Sequence, residues 1–289
     1  MVRETVAPSV TARSLGDITM SNPIFDRVDR EAQRGYAGFG QQERTPDLSA
    51  GQLQDMYAAP SVTPVHERRV TLDDVMMKSL LLFGIVVGVG AVSWFAAAAA
   101  PATGMALWMG GMFGTLILGL VIAFKKVISV PLIVGYAVLE GLFVGAISQF
   151  FNAQWEGVVP TAVLATLCVF GAMFAGWKAG FIKVTDKFRR MMGMALIGYA
   201  IFALINLVAA FMGVGGGWGF GGSGMLGIGI SLFATGLAAF TLALDFDSID
   251  NAVRSGMPEK YSWLLAHGLV VTVIWLYIEM LRLLARLRD

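Results

Sequence analysis

Charge is what this sequence has least of. Only 14% of its residues are charged against 56% hydrophobic, and the mean hydropathy is +0.70, whereas a soluble domain carries about a quarter charged residues. The net charge is +1, so no basic footprint for nucleic acid exists. The single cysteine, Cys168, lies in an apolar run. It excludes an internal disulfide and reads as a small core or lipid-facing residue. His66 and His267 are the only histidines. No ligand cluster with zinc spacing can be built from them, and no cofactor or catalytic metal is expected. Nothing resembles an intramembrane nucleophile with its base, so an enzyme is not expected either.

What is present divides the chain in two. Residues 1–69 are rich in Ser, Thr, Pro, Gln, Asp, Glu and Arg, without an apolar run of signal-peptide length. Such composition cannot bury enough apolar surface to offset ordering entropy, so a disordered cytosolic tail is expected. Its best-patterned piece is a short helix at 21–34, with Phe25 and Val28 on one face.

Seven apolar stretches follow, at 75–97, 102–124, 131–151, 158–177, 191–212, 225–244 and 264–284. Each approaches the roughly 20 residues that span a hydrocarbon core as a helix. A lone strand would leave its backbone groups unpaired in lipid. The expected fold is therefore all-α, a polytopic seven-helix transmembrane bundle over 70–289. Thr71, followed by Asp73 and Asp74, suits the start of the first helix. Pro131 can open the third, because a first-turn N–H lacks a partner anyway.

Lys and Arg set the orientation. Lys125 and Lys126 follow the second stretch; Lys178, Lys183, Lys187, Arg189 and Arg190 follow the fourth; Arg254 and Lys260 follow the sixth. The alternate loops have none. The positive-inside rule puts the basic loops and the N-terminus in the cytoplasm, with the chain in the plasma (inner) membrane. Arg282, Arg286 and Arg288 dissent, because seven crossings place them outside. The external loop 213–224 contains GWGFGG at 217–222, a formal G-x-G-x-x-G. Lacking a strand before it and a βαβ unit around it, it reads as a flexible linker with Trp218 and Phe220 at the interface.

Few ionisable residues survive inside the apolar stretches. Glu140 sits mid-helix in the third, Asp245 ends the sixth, and Glu279 lies in the seventh. An intramembrane charge costs at least about 2.5–3.5 kcal/mol, so such acids face a bundle interior or a wet cavity. At helical spacing Trp275, Glu279, Arg282 and Arg286 fall on one arc, where Glu279 and Arg282 can pair. That pair reads either as a structural lock or as a site on an ion path. Gly141 and Gly145 beside Glu140 allow close helix packing, so Glu140 is either a packing contact or part of that path. Asp247 and Asp250 read as solvated turn residues, and His267 as a satisfied interface histidine.

Three segments resemble one family. EGLFVGAIS at 140–148, LDFDSID at 244–250 and WLYIEMLRLL at 275–284 are similar, in that order, to the signatures of the Bax inhibitor (YccA-like) membrane family of bacterial type. The resemblance covers about residues 70–289. It implies seven helices, the last wrapped by the other six, and, in some members, a pH-sensitive calcium leak sensed by two acids on the last two helices. By motif those are Asp245 and Glu279. Two acids in low dielectric cannot both ionise cheaply, so such a pair titrates as a unit. The two can meet only if 246–266 forms a helical hairpin projecting from the membrane.

Three functions follow as expectations: a cation leak gated by the carboxyl pair, with calcium as the permeant ion; a regulator that binds another membrane complex, such as a quality-control protease; and a small-solute transporter. The lipid bilayer, cations and another membrane protein are the partners these imply.

Overall fold

A computed structural model describes residues 68–289. The tail helix expected at 21–34, and nearly all of the 1–69 segment, lie outside the described residues. Seven helices are long and apolar enough to cross a membrane: α1 (Leu72–Ala99), α2 (Pro101–Phe124), α3 (Val130–Gln154), α4 (Val158–Lys178), α5 (Asp186–Phe211), α6 (Met225–Arg254) and α7 (Tyr261–Arg286). The chain is an integral, multi-pass membrane protein.

The helix starts follow local chemistry. Thr71 and Asp74 form a reciprocal capping box: Thr71 Oγ1 accepts from the Asp74 N–H at 3.1 Å, and Asp74 Oδ2 accepts from the Thr71 N–H at 3.2 Å. Proline occupies the first turn of both α2 and α3. Ala100 alone breaks α1 from α2, in extended backbone.

The last helix is central. α7 is by far the most buried of the seven spans, and α5 the least. α1, α3, α4 and α6 pack directly on α7, while α2 forms an outer layer against α3 and α1. Large apolar side chains such as Phe95, Ile117, Leu164 and Leu204 point outward, where their solvent is lipid. α1 and α3 approach most closely at the segment around Glu140. A Cβ on Gly145 would lie 2.1 Å from the Gly90 carbonyl oxygen, and one on Gly141 would lie 2.9 Å from the Val86 oxygen. Only glycine permits that backbone contact.

Both ends of the bundle are tied. At the end carrying the basic loops, the chain entering α1 pairs with the α6–α7 turn. The Val70 N–H donates to Met257 O at 2.8 Å and the Glu259 N–H to Arg68 O at 2.6 Å, while Lys78 Nζ bridges Glu259 at 3.2 Å and Ser262 at 2.5 Å. At the other end the C-terminus docks on the α3–α4 loop. Arg288 Nη1 donates to Glu156 O at 2.5 Å, and Trp155 Nε1 donates to Asp289 Oδ1 at 3.0 Å.

That end also explains the dissenting arginines. Arg286 is buried, with Nη1 donating to Gly227 O at 2.7 Å and to Ser231 Oγ at 2.6 Å, and its guanidinium lies 5.0 Å from the Trp218 ring centre. A charge already satisfied inside the protein does not report membrane sidedness as a free loop charge does. The 213–224 segment is likewise more than a linker. The Phe220 N–H donates to Asn206 Oδ1 at 2.7 Å, and the Trp218 ring packs against Trp155 and Phe151. Its tight path uses positive φ at Gly213, Gly215, Gly216, Gly217, Gly219, Gly221 and Gly222, which glycine adopts without strain.

Candidate functional site

The buried acids occupy two levels around α7. Asp245 is not at a helix end. α6 continues to Arg254, which leaves Asp245 about 13 Å from its terminus at ~1.5 Å per residue and 0% exposed. Neither of its carboxyl oxygens has a hydrogen-bond partner among the described residues. The Thr272 hydroxyl on α7 is its polar neighbour, yet that hydroxyl donates to Gly268 O at 3.2 Å. Around Asp245 the neighbouring α6 residues Leu242, Phe246 and Ile249 are fully enclosed.

Glu279 is the opposite case: it is buried, and three donors converge on Oε1. They are the Tyr199 hydroxyl of α5 at 2.6 Å, Trp275 Nε1 at 3.2 Å and Arg282 Nη1 at 3.3 Å. The arc expected on α7 therefore forms, and Glu279 and Arg282 pair. The Arg282 side chain is 40% exposed, so its share of the pair is screened.

The hairpin expected from 246–266 forms, with its turn between Arg254 and Tyr261, but it does not bring Asp245 to Glu279. In this antiparallel arrangement Asp245 faces the level of Thr272. Glu279 lies seven residues further along α7, about 10 Å away at ~1.5 Å per residue. The two acids are not a dyad with a shared hydrogen bond; each has its own surroundings.

Glu140 is buried on α3, with Tyr136 one turn earlier as its polar neighbour. The Tyr136 ring meets His267 of α7 edge-on at 4.5 Å, so His267 is a bundle-interior residue and not an interfacial one. Two turns beyond Glu140, Ser148 shares a 2.7 Å hydrogen bond with Tyr277. The α3 and α7 contacts run in step, placing Glu140 near the level of residues 270–272, the same depth as Asp245. Asp247, expected in a solvated turn, is helical and half-buried, and it accepts from Arg189 Nη2 at 2.5 Å and from Asn251 Nδ2 at 3.1 Å. Asp250 stays near the surface, paired with Arg254 at 2.8 Å.

Sequence reasoning overlooked Tyr199 and Asn206. They are the two strongly polar side chains in the otherwise apolar run 191–212, and each makes a hydrogen bond that ties α5 to the rest of the fold. Weighing uncharged polar residues alongside charged ones would have found both.

A seven-helix membrane bundle built around a buried C-terminal helix, with acids on its last two helices, defines the class. The chain matches the family model described as Bax inhibitor 1 like over residues 22–289, and it belongs to that family. The match begins well inside the N-terminal segment, further upstream than the 70–289 core that carries the motifs. A search of curated proteins finds no match.

Proposed function

We propose that the protein is a pH-sensitive cation leak, with calcium as the permeant ion and Asp245 as the group through which pH acts. The observation that carries this reading is the fully buried Asp245 carboxyl, whose oxygens have no hydrogen-bond partner among the described residues and only the Thr272 hydroxyl as a polar neighbour. An unpaired carboxylate in the interior is costly enough that its charge must be met by a proton or by a cation. Exchange of one for the other is a proton-sensitive cation site in its simplest form, and carboxylate oxygen suits calcium. Glu140, at the same depth on α3, is the second acid of the path. Glu279, held by Tyr199, Trp275 and Arg282, closes the far end of the bundle. The basic loops and N-terminus face the cytoplasm in this reading, and the C-terminus faces outside.

The test is cation flux into proteoliposomes across a pH series. Wild type should show a pH-dependent flux that Asp245→Asn flattens while the protein stays folded. An unchanged profile in folded Asp245→Asn removes Asp245 from the mechanism. A role in modulating another membrane complex has one observation in its favour: the chain leading into α1 is bonded to the α6–α7 turn, so a partner gripping the N-terminal segment would pull on the helices that carry the acids. Deleting residues 1–60 separates the readings, because a leak survives it and a partner-dependent regulator does not.

A further inference from the structure

α5 is the least enclosed helix of the bundle. It is fixed at one end by Arg189 on Asp247, near its middle by Tyr199 on Glu279, and towards the other end by Asn206. Between Tyr199 and the C-terminal face, α5 and α6 separate. The resulting groove has a volume of about 840 Å³, and Gly198, Tyr199 and Phe202 line it opposite Gly229, Ile230 and Phe233. Such a volume is in the range of sites that hold a drug-sized molecule, roughly 300–1,000 Å³. The Tyr199 hydroxyl is the one polar side-chain group of that lining, and it is turned to Glu279. Both walls are membrane spans, so the medium at the mouth is lipid hydrocarbon. An unfilled groove would forfeit the dispersion contacts of every wall atom.

The end of the groove carries a charge. Tyr199, Glu279, Arg282 and Arg286 are mutual electrostatic neighbours. Two guanidinium groups there face one carboxylate, which leaves one positive charge in excess. Arg286 is enclosed by Gly227, Ser231 and Trp218, so the accessible cation is Arg282, at 40% exposure. Arg282 sits four residues before the end of α7, about 6 Å at ~1.5 Å per residue, within snorkelling reach of the headgroup layer.

We propose that the α5–α6 groove binds an anionic phospholipid of the leaflet at the C-terminal end of α7, one acyl chain lying between the helices and the phosphate resting on Arg282. The bound chain completes the packing of α5 that the protein itself leaves open, and it lies directly behind the Tyr199–Glu279 contact.

The glycines provide a clean test. A Cβ on Gly198 or on Gly229 would meet nothing within 4 Å, so in Gly198→Leu/Gly229→Leu both side chains start in open space and obstruct the groove. Full-length protein in neutral detergent is titrated with phosphatidylglycerol or with phosphatidylcholine of the same chains, and the thermal midpoint is followed. Wild type should be stabilised by both, with a roughly fivefold preference for phosphatidylglycerol, as expected for one basic residue near a membrane surface. Arg282→Gln should erase the preference and keep the response, and the double leucine variant should lose the response. Equal responses of wild type and the leucine variant overturn the proposal, as does a wild type indifferent to headgroup. Should the leucine variant fail to fold, wild type decides alone. Trp275, whose ring centre lies 5.6 Å from that of Tyr199, should be quenched more by chain-brominated phosphatidylglycerol than by the phosphatidylcholine analogue, with Trp275→Phe as reference. Equal quenching by the two lipids refutes the site.

Discussion

Replacing Glu279 with leucine and Asp245 with asparagine should have very different effects on stability, although both remove a buried acid from the core of the same bundle. Glu279→Leu takes away the acceptor of three donors. Arg282 is half in solvent and can turn outward at little cost, so its contribution is small. The Tyr199 hydroxyl and the Trp275 indole N–H are left without their acceptor, at about 1–3 kcal/mol each. The expected loss is therefore about 2–6 kcal/mol. At Asp245 there is no hydrogen bond from another described residue to lose. Asparagine keeps the shape and removes the charge, so its cost should stay below about 1 kcal/mol, and it becomes stabilising wherever the wild-type group ionises. By soluble-domain scaling of roughly 2–4 °C per kcal/mol, Glu279→Leu should lower the thermal midpoint by about 4–24 °C and Asp245→Asn should barely move it. The two sites lie about 10 Å apart along α7 at ~1.5 Å per residue and share no partner, so the double variant should equal the sum of the singles to within about 0.5 kcal/mol. Thermal unfolding of the three variants in one detergent decides the matter. A coupling well beyond that margin, or a large loss from Asp245→Asn alone, would refute the separation of the two acids.

Gly145→Ala should be strongly destabilising, by about 1–3 kcal/mol or more, because its Cβ would sit 2.1 Å from Gly90 O; Gly88→Ala, which meets nothing within 4 Å, is the control that should leave the midpoint unchanged. Arg286→Met should cost about 1–3 kcal/mol for each of the two acceptors it leaves unsatisfied, Gly227 O and Ser231 Oγ, whereas Arg288→Met, on an exposed terminus, should cost little; the thermal midpoints of both are compared. Topology reporters at the C-terminus and inside 213–224 should read the same side, and one after Lys183 the opposite side. A C-terminal reporter agreeing with Lys183 would show that α7 does not cross.

Hydropathy made the bundle legible, because lipid imposes a length and an apolar composition on every span. It could not show where a helix continues as polar sequence. The sixth apolar stretch stops at 244, so Asp245 reads as a boundary residue. In the fold, Asp247 and Asp250 lie on the less buried side of a helix that runs another two and a half turns, and the boundary residue becomes the most enclosed acid among the described residues. The same blindness affects the C-terminal arginines. A count of basic residues treats each as a free charge facing lipid headgroups, but Arg286 is spent on Gly227, Ser231 and Trp218, partners that only the tertiary structure supplies.

The motif logic worked at one remove. The signatures correctly picked out acids on the last two helices, but spacing along a chain does not determine depth in a hairpin. Depth is set by where the turn falls. A turn centred near Pro258 places residues equally distant from it side by side, so Asp245 meets the low 270s and Glu279 meets α6 about two turns nearer its start. Two acids that a motif makes neighbours thus sit in separate layers, one with no partner and one with three. In the proposed leak that asymmetry separates their roles. A group with no donor can trade a proton for a cation without breaking anything. Under the proposed leak the sensor is the less satisfied of the two acids, Asp245.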